Sequence, residues 1–254
     1  MRRNQKVKIG IIGAGSIGKT LARKLAAAGH DVKVSNSRGP ETIDAEALAT
    51  GARAVATAEA VEDVDVVIVS IPPTRLRSVA PLLSGLQDDA VVIDTSNYYP
   101  QRDGRIEALE AGQVESLWFA EQLGRPVAKA WNSVIADTFA KKGLPAGSPG
   151  RIALSIAADR EADRRVALEL VEDTGFDAYD AGPLAESWRQ QPGAPCYCTD
   201  LTLEQLPAAL AAAERERSPK RRDLAMAAVA ERAGDDFLNI EGEYLVRLNR
   251  ALYM

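Results

Sequence analysis

Residues 13 to 20 read Gly-Ala-Gly-Ser-Ile-Gly-Lys-Thr, and two phosphate-binding patterns overlap there. Taken as G-x-G-x-x-G, Gly13, Gly15 and Gly18, with Ser16 and Ile17 between the last two, form the dinucleotide loop of a Rossmann unit. Taken as G-x-x-x-x-G-K-T, Gly13, Gly18, Lys19 and Thr20 form the P-loop of an NTPase. In both cases backbone N–H groups at a helix start would hold a phosphate. The chemistry differs: hydride transfer in one, phosphoryl transfer in the other.

The flanks favour the dinucleotide. Ahead of the loop, Val7-Lys8-Ile9-Gly10-Ile11-Ile12 is a short apolar run of the kind a buried parallel strand shows. Behind it, Leu21, Leu25 and several alanines give a helix of about three turns, closed by Gly29 where a left-handed cap is expected. A second strand, Asp31-Val32-Lys33-Val34-Ser35, follows at once. The end of that strand in a Rossmann unit lies beside the adenine ribose, where an acid takes the 2′-OH of NAD and an arginine accommodates the 2′-phosphate of NADP. Here the residues are Ser35, Asn36, Ser37 and Arg38, with no acid among them. Ser and Asn can donate to phosphate oxygens, and Arg38 can make a charge-assisted contact. Phosphoryl transfer draws some support from Ala90-Val91-Val92-Ile93-Asp94, an apolar run ending in an acid. Any parallel strand of an α/β sheet can end that way, however, and Lys19 and Thr20 also suit a solvent-facing first turn.

With 254 residues the chain has room for one sizeable α/β domain and an appendage. A net charge of −5 and a pI near 5.2 argue against nucleic acid or a membrane surface as a partner. The apolar runs are strand-length and Met1-Arg2-Arg3 leads into no signal-peptide core, so a cytoplasmic protein without a membrane span is expected. Cys196 and Cys198 form a lone C-x-C, too little for a zinc site and expected as two reduced thiols. His30 is the only histidine and is expected at a surface turn; its isolation excludes multi-histidine metal sites.

Patterning places strands near 7–12, 31–35, 53–56, 65–71, 90–94, 126–131, 151–157 and 176–180. Helices are expected near 16–28, 41–50, 74–84, 103–111, 115–123, 134–142 and 161–173, as in a βαβ array. The fold class expected is α/β: a Rossmann-type, doubly wound, mainly parallel sheet with a small helical C-terminal region. Composition shifts after Ala181-Gly182-Pro183. Residues 1–183 are therefore assigned to the dinucleotide-binding domain and 184–254 to helices near 184–190, 203–216, 219–233 and 242–252. Trp188, Tyr197, Leu201, Leu206 and Leu210, with the apolar face of Tyr244, Leu245, Val246, Leu248 and Leu252, are expected to close the site and to meet a second copy in a homodimer.

Open α/β sheets bind ligands outside the carboxyl ends of their strands. Three expected strands end there in polar or turn-forming residues: Ser70-Ile71-Pro72-Pro73, Thr95-Ser96-Asn97-Tyr98-Tyr99 and Lys129-Ala130-Trp131-Asn132. Ser70, Ile71, Pro72, Thr95, Ser96 and Asn97 are candidates for cofactor contacts, and Lys129 and Asn132 for the catalytic end. The scarcity of acid–base groups suits hydride transfer between two cofactor-like rings, because the cofactors carry that chemistry.

In order and spacing, Gly10 to Gly18, Ser35-Asn36-Ser37-Arg38-Gly39-Pro40, Ser70-Ile71-Pro72-Pro73, Lys129-Ala130-Trp131-Asn132 and Ala181-Gly182-Pro183-Leu184 resemble the F420-dependent NADP oxidoreductase family over about residues 7–185. The resemblance implies a Rossmann-type domain, NADP on the glycine loop, and Ser37 and Arg38 on the 2′-phosphate. It also implies a deazaflavin or related hydride partner over the nicotinamide. Residues 186–198 depart from the F420-binding pattern, which leaves the acceptor open between F420, a flavin, a quinone and a small imine or carbonyl compound. Two other readings compete. One is a β-hydroxyacid dehydrogenase or imine reductase in which Lys129 polarises the substrate, disfavoured because the Lys-x-x-Asn pair falls at a strand end. The other is a non-catalytic NADP-binding redox sensor.

Overall fold

The computed structural model describes residues 6–234 and 240–254, so the Met1-Arg2-Arg3 start on which the signal-peptide reading rests lies outside the described residues. The apolar runs become β1 (Lys8–Ile12), β2 (Asp31–Ser35), β3 (Arg53–Ala54), β4 (Val66–Val69), β5 (Val91–Asp94), β6 (Ala128–Lys129), β7 (Ala153–Ala158) and β8 (Asp177–Asp180). They form one sheet in the order β3-β2-β1-β4-β5-β6-β7-β8. The neighbours from β3 to β6 pair in parallel, β7 runs antiparallel to β6, and β8 is parallel to β7. The first six follow the Rossmann order, which reverses direction between β1 and β4.

The helices are α1 (Ser16–Ala27), α2 (Ala45–Leu48), α3 (Leu76–Leu83), α4 (Pro100–Asp103), α5 (Glu107–Glu110), α6 (Glu115–Leu123), α7 (Ala136–Lys141), α8 (Glu161–Asp173), α9 (Leu206–Ala211), α10 (Ser218–Ala233) and α11 (Gly242–Tyr253). Successive side chains of a strand point to opposite faces, and both faces are covered. Val66, Ile68, Val91 and Ile93 pack with Leu21 and Leu25 of α1 and Leu170 and Val171 of α8. Val67, Val69 and Val92 pack with Leu76, Val79 and Leu83 of α3 and Phe119 and Leu123 of α6. Burial on both sides is why these strands read as unbroken apolar runs rather than alternating ones.

Departures from the expected elements have local causes. The 41–50 pattern splits into a 3-10 turn, Pro40–Thr42, and α2, because the Asp44 side chain caps α2 by accepting from the Glu46 N–H. The 103–111 pattern breaks at Gly104, whose φ of 70° separates α4 from α5. The 126–131 run is strand only at Ala128–Lys129, since Trp131 turns the chain with a φ of 55°. His30 corrects the surface-turn expectation: it is 7% exposed. Its Nδ1 accepts from the Val7 N–H, so Nε2 donates to Asp173 at 3.0 Å, tying the start of β1 to the end of α8.

Beyond Pro183 the chain forms a 3-10 helix, Leu184–Gln190, and then α9 to α11. One apolar cluster joins Ala153 of β7 to Cys196, Leu201, Leu206, Ala209 and Leu210. A second joins Tyr197, Cys198, Ala225 and Tyr253. Both thiols are free and buried, and burial pushes Cys196 up to about 12 and Cys198 higher still. Part of the apolar face of α11 is therefore covered within the chain: Val246 and Tyr253 are buried, and Asn249 donates to the Cys198 carbonyl. No helix among the described residues is long and apolar enough to cross a membrane, and no group of three or more His, Cys, Asp or Glu among them could hold a metal.

Tyr253 covers Cys198 from the last helix. Tyr253→Ala should cost about 3–5 kcal/mol, as for other buried aromatics cut to alanine. It should also turn a slowly reacting thiol into a fast one toward a chromogenic disulfide reagent. An unchanged melting temperature with inert cysteines would contradict this packing.

Candidate dinucleotide and acceptor site

The glycine loop has the geometry of a dinucleotide cradle. Gly13 leaves β1 with a φ of 108°, and a Cβ there would overlap the Ser70 carbonyl. A Cβ on Gly18 would overlap the Gly13 carbonyl, so the loop can lie flat on α1 only with glycine at that position. Around Gly15 a Cβ would meet nothing within 4 Å, and this open side is where a pyrophosphate can approach the backbone. Gly15 is also the N-cap of α1 and supplies no side-chain cap, and no acid stands in the first turn. The N–H groups there keep their preference for an anion.

The NTPase pattern fails at its functional residues. Lys19 Nζ pairs with Asp44 at 3.2 Å and Glu46 at 2.8 Å, on the flank of α1 rather than over the loop. Its pKa is raised by those same hydrogen bonds, Glu46 first. Thr20, expected to face solvent, is buried and donates to the Ser16 carbonyl. Asp94, the acid at a strand end, is fully buried against Lys129.

At the end of β2 the four polar residues divide. Ser35 is buried and its hydroxyl donates to the Ile11 carbonyl, so it does not face a ribose phosphate as expected. The Asn36 side chain is taken up by the loop itself: it accepts from the Arg38 N–H and donates to Thr42. Ser37 and Arg38 are exposed, and their side chains have no hydrogen-bond partner among the described residues.

Next to the glycine loop, the ends of β4 and β5 enclose a cavity of about 220 Å³ lined by Gly15, Ser16, Ile17, Ser70, Ile71, Pro72, Thr95, Ser96, Asn97 and Arg102. All but Arg102 are candidates the sequence supplies. Arg102 escaped because it lies past the strand end and just before the helix expected near 103–111, where no pattern singles it out; the structure places it in α4. A larger recess of about 790 Å³ opens beside Asp65 and Ala90, at the amino ends of β4 and β5. It lies at the sheet edge opposite to the one where open α/β sheets bind ligands, and it has no glycine loop.

Lys129 and Asn132, expected at the catalytic end, are both buried behind the 94–99 turn. Lys129 is fully buried, with Nζ 2.7 Å from Asp94 Oδ2 and also donating to the Ser96 carbonyl. Its donors turn inward, to a carboxylate that would otherwise be buried alone. Asn132 is likewise buried: its amide donates to Asn97 Oδ1 at 3.1 Å and to the Gln190 carbonyl at 2.8 Å, and it accepts from Gln190 Nε2. Both are positioning residues for the 94–99 turn. Asp94 Oδ1 accepts from the Ser96 N–H, Glu115 from Tyr98, and Asp103 from Tyr99. Burial raises the Glu115 carboxyl to about 7, against the opposing pull of Lys129.

The fold and the loop define a class, the Rossmann-type dinucleotide-binding unit of NAD(P)-dependent oxidoreductases. Residues 8–98 match the family described as NADP oxidoreductase coenzyme F420-dependent. A stretch of 57 residues is 54% identical to the YjhV protein of Escherichia coli K12; it spans 22% of this chain and 42% of that protein, so well under two thirds of the curated relative is matched. Among solved structures, a hypothetical protein of Sinorhizobium meliloti is 29% identical with a TM-score of 0.65, over 77% of this chain and 95% of that one. A candidate F420-dependent NADP reductase from Arthrobacter sp. FB24 shares the fold at 20% identity and a TM-score of 0.56, over 71% and 87% of the two chains.

Two outcomes test the buried charges. Lys129→Met leaves Asp94 buried without its cation and should destabilise the protein by roughly 3–5 kcal/mol in a denaturant melt; a loss under about 1 kcal/mol would show that the pair is open to water. Glu115 binds its proton more tightly folded than unfolded. Its favourable contribution is complete below the ordinary carboxyl value and is lost as pH rises to about 7. Glu115→Gln keeps an acceptor for Tyr98 and cannot ionise. Its melting temperature relative to wild type should therefore rise from pH 5 to pH 8, by up to an order of 3 kcal/mol in stability. A constant difference across that range would rule out the buried ionisation.

Proposed function

We propose that the protein is an NADPH-dependent oxidoreductase that moves a hydride between NADP(H) and a second redox cofactor or small acceptor. The observation that carries the reading is one sheet edge holding, in strand order, an unpaired Ser37 and Arg38, an open glycine loop and a cavity. Gly13, Gly15, Ser16, Ile17 and Gly18 would hold the pyrophosphate through backbone N–H groups and the helix start. Ser37 and Arg38 would take the 2′-phosphate, Arg38 by a charge-assisted contact with no competing carboxylate to displace. Ser70, Ile71, Pro72, Thr95, Ser96 and Asn97 would line the nicotinamide end.

When bound, the nicotinamide supplies the hydride. The chain's part is to align the two reactants, which is worth up to roughly 7–11 kcal/mol of barrier. No lining residue of the cavity has an ordinary pKa between 5 and 9, in keeping with an acceptor such as F420, a flavin or a quinone that asks the protein for no proton. The buried Lys129 weighs against the dehydrogenase reading, which needs that ammonium on the substrate. In this reading the region 184–254 braces the acceptor pocket from behind Asn97, through the Gln190–Asn132 contact, and its remaining exposed apolar surface meets a second copy.

Arg38→Ala should weaken NADPH binding roughly tenfold or more, from the loss of a contact worth about 1.5–3 kcal/mol. NADH binding should change little. Fluorescence titration with both nucleotides decides it, and equal losses for the two would remove the 2′-phosphate assignment.

A further inference from the structure

Among the described residues, Arg102 is the only charged side chain lining the cavity, and no acid shares that lining. It is held unusually firmly for a residue whose side chain is 49% exposed. Its Nε and Nη2 each lie 2.8 Å from the two oxygens of Asp103 in a fork. Asp103 is itself fixed, with its side chain 1% exposed and accepting the Tyr99 N–H. Nη2 donates again to the Asn97 carbonyl at 2.6 Å. The guanidinium carbon stands 5.4 Å from the centre of the Tyr99 ring, whose hydroxyl is 2.8 Å from that of Tyr197.

A guanidinium carries five N–H donors. Three are used: one on Nε and two on Nη2. Nη1, with its two hydrogens, has no partner among the described residues. The hydroxyls of Ser70 and Ser96, on the same lining, make no hydrogen bond to described residues either. A flexible arginine loses side-chain entropy on gripping a ligand, whereas one already clamped in its fork loses less. The arrangement is therefore preorganised to receive an acceptor-rich group.

From this we infer that Arg102 docks an oxyanion, a carboxylate or a phosphate, carried by the hydride acceptor. Strand order sets Arg102 on the β5 side of this cavity and the glycine loop on its β1 side. Arg102 follows β5, two strands from β1 and its glycine loop, with β4 between. Strand spacing puts the ends of β1 and β5 roughly 10 Å apart across the sheet. The end of β2, where Arg38 stands, lies on the opposite side of the loop. A dinucleotide running from β2 across β1 reaches β5 with its reacting end, so Arg102 stands where the second reactant must enter. The inference rests on the NADP reading for the identity of that second reactant, but not for the presence of the anion site.

The test uses the full chain with acetate, malonate and inorganic phosphate as probes and acetamide as the neutral control. Binding is measured by calorimetry on the free protein and on its NADPH complex. Wild type should bind at least one of the oxyanions and not acetamide, and the tighter of carboxylate and phosphate names the group. Arg102→Ala should weaken that binding by about tenfold or more. Arg102→Lys keeps a cation beside Asp103, which guards against misfolding, yet lacks the planar fork, and should also weaken it severalfold. The affinity for NADPH should stay within about threefold in both variants, as expected of a residue off the dinucleotide. Unchanged oxyanion affinity in folded Arg102→Ala or Arg102→Lys, or no oxyanion binding to wild type, overturns the inference. So does a parallel loss of NADPH affinity, which would assign Arg102 to the cofactor's own phosphates. If wild type binds oxyanions but not NADPH, the NADP reading fails while the Arg102 site stands.

Discussion

The buried pair between Asp94 and Lys129 is the interaction on which the crevice depends. Both side chains are fully enclosed, one at the end of β5 and the other at the end of β6. A pair removed from water in this way does little for stability compared with apolar residues of the same volume, because desolvation offsets the attraction. Its effect is positional. Asp94 uses one oxygen for Lys129 and the other for the Ser96 N–H, and Lys129 also holds the Ser96 carbonyl. The turn from Thr95 to Asn97 is thereby fixed on three sides, and that turn forms a wall of the cavity.

The same turn shows how the C-terminal region reaches the site. Asn132, just past β6, holds the Asn97 side chain on one side and Gln190 on the other. Gln190 closes the 3-10 helix that begins the region after Pro183. Tyr99 and Tyr197 make a second link through their hydroxyls. The geometry of the crevice and the packing of the last seventy or so residues are thus coupled through amide and phenol contacts, and not through the apolar clusters alone.

Charge is arranged with the same economy. Several carboxylates near the crevice are matched: Asp94 by Lys129, Asp103 by Arg102, and Asp44 and Glu46 by Lys19. Two arginines at opposite ends of the edge, Arg38 and Arg102, keep donors to spare. A cavity lined by unpaired donors and by no acid favours anionic ligands through local contacts, even though the whole chain carries a net charge of −5.

By itself the sequence determined the sheet, the helices on both of its faces and the glycine loop, because each rests on local pattern. Unbroken apolar runs can be buried only between two helical layers, and Gly13 and Gly18 stand where any side chain would strike a carbonyl. It also supplied nearly every residue of the cavity, since ligands gather where parallel strands end. What it could not decide was which polar strand-end residues face outward. Ser35, Lys129 and Asn132 read as donors for a ligand, yet their partners come from β1, β5 and the 3-10 helix, 24, 35 and 58 positions away. His30 is set by the same constraint, its partner Asp173 lying 143 positions on. Arg102 went unread because its place in the crevice depends on how α4 folds back over Asn97. A side chain's role is set by which long-range partner satisfies its hydrogen bonds, and that information exists only once the sheet has brought distant strands side by side.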